Sequence, residues 1–235
     1  SLSRRSLAKN ESGARYGLFV APRDGMGSLV AAIAGRLPPG SVRLAAPGAR
    51  VLRAESGWLV RFAGDAAPQQ FDGVVLAGPA YVAAELLRDS SRELAAELAA
   101  IEYAGCAVVS LAYRREQLAG LPDGFGFVVP HVENRPIIAA SFASEKFPGR
   151  TPAGEVLIRV FIGGAMRPEL LDETDEALCR IACGQIAELL RASGTPSRMD
   201  VARWPRSMPQ YHVGHVERVG RIMAGIEALP GLELA

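Results

Sequence analysis

The stretch Phe71-Asp72-Gly73-Val74-Val75-Leu76-Ala77-Gly78-Pro79 decides the fold. Residues 71–77 form a nearly continuous apolar run of strand length, the appearance of a strand buried on both faces. Gly78 and Pro79 end the run, and a helix opens at Ala80. A strand, a tight turn and a helix in this order form the junction at which α/β sheets place ligands, beyond the carboxyl ends of their strands.

Upstream of this stretch, residues 16–20 read as a short strand. The apolar positions Met26, Leu29, Val30, Ile33, Ala34 and Leu37 recur at helical steps, so residues 26–37 read as a helix stopped by Pro38, Pro39 and Gly40. A short strand is expected at residues 42–44. Residues 49–54 and 58–63 read as strands joined through Glu55, Ser56 and Gly57 as a hairpin. Downstream, residues 90–101 suggest a helix capped by Ser90 or Ser91. Residues 104–113 are apolar on both faces and predict a central strand. Further strands are expected at 126–129, 136–143, 155–162 and 199–206. Helices are expected at 175–192, capped by Asp172 or Thr174, and at 215–228. The fold class is therefore a mixed α/β, or α+β, arrangement.

Composition excludes several classes. Of the 235 residues 49% are hydrophobic, 22% charged and 6% aromatic, values of an ordinary globular chain with neither disorder nor coiled coil. The formal charge is +1, from 26 Lys plus Arg against 25 Asp plus Glu, so no basic excess points to nucleic acid. Three cysteines cannot build a disulfide framework, which predicts a reducing cytoplasm. Cys179 and Cys183 are one helical turn apart but supply only two of the four ligands a structural zinc needs, so no metal site is predicted. No apolar run has the ~20 residues of a membrane-spanning helix.

No catalytic constellation is visible in residue types. His212 and His215 lack further ligands, and no serine sits in a G-x-S-x-G elbow. Gly25-Met26-Gly27 has only part of a phosphate-binding glycine pattern and reads as a helix-entry turn. In residues 142–152 two prolines and a glycine hold a turn, with Phe142 and Phe147 expected to pack inward. Phe161-Ile162-Gly163-Gly164 ends a strand with glycines that supply either a close backbone contact or a bend. Trp204 and Tyr211, set among prolines, read as core edge or as a surface for a flat heterocycle.

Taken in order, Gly25-Met26-Gly27-Ser28-Leu29, Phe71 to Ala77, Gly124 to Pro130, Lys146-Phe147-Pro148-Gly149-Arg150, Phe161 to Gly164 and Trp204 to His215 resemble the protoporphyrinogen/coproporphyrinogen oxidases. The resemblance implies an FAD-dependent oxidase of haem biosynthesis that oxidises a porphyrinogen with oxygen as acceptor. It implies that Val51 lies beside the adenine end of FAD, that Ala77, Gly78 and Pro79 border the cofactor, and that Trp204 lies near the flavin. It also implies that Val128, Ser141 and Phe161 line the macrocycle pocket. It names no general base, and the catalytic residues stay unassigned. Residues 1–85 and 200–235 are then expected to form part of an FAD-binding domain, and 86–199 a substrate domain with a mixed or antiparallel sheet. Some members of the family make peripheral membrane contact, although no segment here demands it. A sibling amine oxidase or carotenoid desaturase, or a non-catalytic binding protein on the same fold, is the alternative.

Members of that family begin with a strand and G-x-G-x-x-G and end with a glycine-rich flavin segment. This sequence has neither, starting after the first and stopping at Leu232-Glu233-Leu234-Ala235. The expectation is that it is a fragment whose parent is the oxidase, and that the fragment binds FAD weakly or not at all, because the helix N-terminus that holds the pyrophosphate is missing. The purified 235-residue chain should be colourless. A stoichiometric yellow flavin spectrum would overturn this.

Overall fold

The computed structural model describes residues 19–235. The expected strand at 16–20 lies mostly outside them, and Phe19 and Val20 are not in a strand. The chain divides into two compact units, each described by itself. The first holds residues 19–41, Ala107–Gly163 and Asp172–Ala202, and the second Val42–Cys106, Gly164–Leu171 and Arg203–Ala235. Residues 19–41 thus group with the middle of the chain, whereas the sequence division placed them with residues up to 85.

In the second unit, β1 (Gly48–Arg53) and β2 (Trp58–Phe62) form the expected hairpin, with Val51 opposite Val60. Gly57 turns it at φ +72°, where a side chain would also collide with the Phe71 carbonyl oxygen. The apolar run of residues 71–77 is not one strand. Phe71 ends β3 (Gln69–Phe71), antiparallel to β2, and Val74–Leu76 forms β4, parallel to β10 (Leu232–Leu234). The break falls at Asp72-Gly73. The Val74 amide donates to the Gly231 carbonyl at 2.7 Å, and a Cβ on Gly73 would stand 3.1 Å from that oxygen. Nor is the strand buried on both faces, since Val75 is 63% exposed.

Helices α2 (Ala80–Leu87), α3 (Arg92–Ala99) and α6 (His215–Glu227) supply the rest of this core. Ser91 caps α3, its hydroxyl accepting from the Leu94 amide at 3.3 Å. Leu87, Leu94, Leu98, Ile222 and Ile226 bury against Val51 and Trp58. Trp58 is fully buried, and its indole Nε1 donates to the Pro230 carbonyl at 3.1 Å, tying the hairpin to the chain just before β10.

In the first unit, α1 is Met26–Ala34, ending at Gly35, a turn earlier than its apolar period suggested. Among the described residues none of its side chains is buried, and Met26, Leu29, Val30 and Ile33 are exposed. No strand forms at 42–44. The five-stranded sheet has the order β6 (Gly126–Val128), β7 (Ile137–Phe142), β8 (Glu155–Gly163), β5 (Tyr103–Arg114), β9 (Arg198–Pro209), of which residues 103–106 of β5 and 203–209 of β9 belong to the second unit. Strands β6 to β8 are antiparallel neighbours, and β5 is internal, as its apolar faces predicted. A one-turn helix, α4 (Ala143–Lys146), follows β7. Helix α5 (Asp175–Leu190) packs Leu178, Ala182, Ile186 and Leu190 inward, and Thr174 caps it by accepting from the Ala177 amide at 3.2 Å.

No disulfide joins any of the three cysteines. Cys106 is buried in β5, and Cys183 lies 3.8 Å from the Met199 sulfur. Burial pushes the Cys179 and Cys183 thiols up from their usual pKa, and the carboxylates near Cys179 push the same way. Among the described residues no group of three or more His, Cys, Asp or Glu is placed to hold a metal ion.

Trp58→Ala should lower stability by about 3–5 kcal/mol, and Trp58→Phe by about 1 kcal/mol through loss of the Pro230 bond, both read from urea unfolding. At pH 8, iodoacetamide should label Cys179 and Cys183 more slowly than an unstructured cysteine peptide, because the thiolate reacts and its fraction is reduced. Labelling at the peptide's rate would show that the helix leaves these thiols unperturbed.

Candidate functional site

Strand register builds the floor of a cleft in the first unit. Gly126 of β6 stands opposite Ser141 of β7, and Ser141 opposite Arg159 of β8. Two residues along, Val128 stands opposite Ala139, and Ala139 opposite Phe161. Alternate residues of a strand share a face, so these six lie on one side of the sheet. The other side carries the buried Ala140, Phe142, Ile158, Val160 and Ile162. Gly126, Ala139 and Ser141 are small, which leaves the middle of the floor flat. Gly126 is required where it is: its φ is +141°, and a Cβ would collide with the Ala140 carbonyl oxygen.

The walls come from residues 19–26 and from the turn after β7. Phe19 packs edge-on against Phe125 and Phe147, with ring centroids 4.8 and 6.2 Å apart. The Ser144 hydroxyl accepts from the Leu157 amide at 3.2 Å and fixes α4 against β8. Gly149, at φ +81°, turns the chain toward Arg150, whose Nη2 donates to the Pro22 carbonyl at 2.8 Å. The cleft is open to one side, and its volume is about 930 Å³, at the upper end of the roughly 300–1,000 Å³ usual for small-molecule sites.

Among the described residues the lining is mainly apolar and aromatic, with three cations and no acidic residue. The Lys146 ammonium lies 5.0 Å from the centre of the Phe19 ring. The Arg159 guanidinium lies 5.8 Å from that of Phe161. The neighbouring Glu145 is engaged by Arg115 at 2.6 Å and does not neutralise them.

The residues expected to bind substrate, Val128, Ser141 and Phe161, all line this cleft. Those expected at the cofactor, Val51, Ala77, Gly78, Pro79 and Trp204, all fall in the second unit. The Val51 side chain is buried in the core and its carbonyl accepts from the Ser90 hydroxyl at 2.6 Å, so only its backbone can face a ligand. Ala77, Gly78 and Pro79 are exposed at the carboxyl end of β4, and a Cβ on Gly78 would meet nothing within 4 Å. Behind them the Ala80 amide, first in α2, donates to the Tyr103 hydroxyl at 3.0 Å, and the Arg206 guanidinium stacks 3.9 Å from the centre of Tyr81. Trp204 is 55% exposed and presents its indole to solvent. An open turn at the end of a parallel strand and an exposed indole fit the edge of a flat dinucleotide cofactor.

The remaining motifs resolve simply. Gly25, at φ +86°, begins α1 and its carbonyl accepts from the Ser28 hydroxyl at 2.7 Å, a helix-entry turn. Gly163 and Gly164, at φ +98° and +74°, bend the chain out of β8. His212 bonds to Glu102 at 3.1 Å and His215 packs on Tyr211, with ring centres 4.5 Å apart. Phe142 is buried, and Phe147 is half-buried in the cleft wall.

Sequence reasoning passed over Phe19, Phe125, Lys146, Phe147, Arg150 and Arg159 as cleft residues. A signal existed for two of them. Arg159 precedes Phe161 by one strand period, and Lys146 is one of only two lysines, inside the most distinctive loop.

Residues 4–226 match the family described as flavin containing amine oxidoreductase. A coproporphyrinogen III oxidase of Propionibacterium freudenreichii subsp. freudenreichii is 34% identical over 196 residues, covering 83% of this chain and 36% of that protein. The chloroplastic protoporphyrinogen oxidase of Nicotiana tabacum is 30% identical over 175 residues, covering 70% of this chain and 32% of that one. Among solved structures, one described as a protoporphyrinogen oxidase from Exiguobacterium sp. 255-15 superposes with a TM-score of 0.79 at 25% identity, over 93% of this chain and 47% of that chain. The chain spans about a third of the length of these two curated relatives, 36% and 32%. With the family match running through both units, the chain belongs to the flavin-containing amine oxidoreductases.

Proposed function

We propose that the protein to which this chain belongs is an FAD-dependent porphyrinogen oxidase of haem biosynthesis with oxygen as electron acceptor, acting in the cytoplasm. The observation that carries the reading is the cleft itself. Its floor is flat and mainly apolar, bordered by Val128 and Phe161, as a planar macrocycle with alkyl edges requires, with Arg159 on the floor and Lys146 and Arg150 in the walls. The first unit then serves the substrate and the second the cofactor. Ala77, Gly78, Pro79 and Trp204, with the Val51 backbone, would hold the FAD edge. When bound, FAD supplies the redox chemistry by accepting hydride from the substrate and passing electrons to oxygen. The residues of this chain bind and orient the macrocycle and keep water from its faces. The similarity to porphyrinogen oxidases supports the same reading.

The charge of the cleft weighs against an amine oxidase. An alkylamine is cationic near neutral pH and would meet three like charges there. The test is the full-length, flavin-loaded protein supplied in turn with coproporphyrinogen III, protoporphyrinogen IX and putrescine, following porphyrin fluorescence and oxygen uptake. Oxidation of a porphyrinogen with no response to putrescine is expected. Turnover of the amine alone would assign the protein to the sibling branch, and turnover of none would leave a binding protein on an oxidase fold.

A further inference from the structure

Helix α5 carries Cys179 and Cys183 one turn apart, so the two thiols share a face, with Cβ atoms on the order of 5–6 Å from each other. Both are half-buried and line a second pocket, of about 650 Å³, together with Met199 near the start of β9. All three lie within the first unit. The Cys183 thiol donates to the Met199 sulfur at 3.8 Å. The hydroxyl of Tyr113, a buried residue of β5, hydrogen-bonds the same Cys183 sulfur. Sequence spacing shows only the two cysteines, because the thioether arrives from a different element. Among the described residues around this pocket, the carboxylates of Asp175, Glu176 and Asp200 outnumber the guanidinium of Arg180. That surplus of negative charge draws in a cation and turns away an anion.

We propose that Cys179, Cys183 and Met199 form a three-sulfur site for a soft monovalent metal ion, copper(I), separate from the cleft on β6 to β8. Thiolate and thioether ligands select copper(I). Zinc wants four ligands, and among the described residues no group of three or more His, Cys, Asp or Glu is placed to complete such a set. Metal–sulfur bonds of about 2.3 Å put two sulfurs of a trigonal site roughly 4 Å apart. Cys183 and Met199 already stand at that separation. Cys179, on the same helix face, is within a side-chain rotation of the same point. On binding, each thiol gives its proton to solvent, two sulfur–copper bonds form and Met199 donates a lone pair. No electron is transferred, and the ion takes the place of the hydrogen between Cys183 and Met199. The Tyr113 hydroxyl then donates to the Cys183 thiolate, an outer hydrogen bond of the kind that orients a metal ligand. Burial keeps both thiols protonated at neutral pH, so binding releases about two protons per ion and tightens as pH rises.

The test is an anaerobic titration of the full-length, flavin-loaded protein with copper(I) supplied as its bicinchoninate complex. Loss of the complex's colour reports transfer of the metal, and a weakly buffered solution reports the protons released. The wild type should withdraw about one copper(I) more than Cys179→Ser or Cys183→Ser, with about two protons released alongside it. Sulfur sites elsewhere in the parent protein are common to all variants and drop out of the comparison. Met199 is 49% exposed, and Met199→Leu conserves its volume, so this variant keeps the fold. It should weaken the site about tenfold. Zinc(II) at the same concentration should displace little of the bound copper(I). Equal copper uptake by the wild type and both serine variants would overturn the site. Uptake unchanged by Met199→Leu would overturn the three-sulfur geometry, and displacement of copper(I) by zinc(II) would overturn the preference for a soft ion. The porphyrinogen reading is independent of each outcome.

Discussion

The register of three antiparallel strands is the constraint on which the cleft depends. With Gly126 opposite Ser141 and Ser141 opposite Arg159, every second residue of β6, β7 and β8 faces the cleft and every other one faces the core. A slip of one position would exchange the two sets, placing Arg159 among buried aliphatics and Ile158 in the open. The buried row of Ala140, Phe142, Ile158, Val160 and Ile162 therefore protects the site as well as the fold. Gly126 locks the same register from the edge, because no side chain fits against the Ala140 carbonyl oxygen.

The second unit depends in a similar way on contacts between distant parts of the sequence. Trp58 joins the hairpin to the segment before β10, and Gly73 lets that segment lie against the start of β4. This holds the Ala77 to Pro79 turn at the end of a parallel strand and leaves it open. A rigid support beneath an exposed turn is what a site for a large cofactor needs, since the turn itself has few contacts of its own.

Much of this was legible in the residues. Helix α5 and its Thr174 cap, the hairpin and its Gly57 turn and the internal position of β5 follow from period and turn chemistry, whereas the floor residues Val128, Ser141 and Phe161 were singled out only through the family resemblance. The run at 71–77 misled because apolar residues continue across a change of partner. Pairing with β2 ends at Phe71 and pairing with β10 begins at Val74, and only the polar Asp72-Gly73 step marks the boundary. Helix α1 misled in another sense: its amphipathic period is real, yet none of its side chains is buried among the described residues. The cations of the cleft were hidden because their meaning is nonlocal. Lys146, Arg150 and Arg159 are ordinary surface residues in sequence, and become a group only when a turn and a strand bring them to the same wall and floor.

The distribution of charge has a kinetic side. The chain as a whole is nearly neutral at +1, and among the described residues the cleft holds three cations and no acid, so the remaining residues sum to a slight negative charge. An anionic ligand would be drawn in near the opening, where low-dielectric aromatic walls focus the field. At physiological ionic strength the field reaches about 8 Å. Encounter would be accelerated only over the last steps of diffusion, and added salt would slow capture far more than it hastened release.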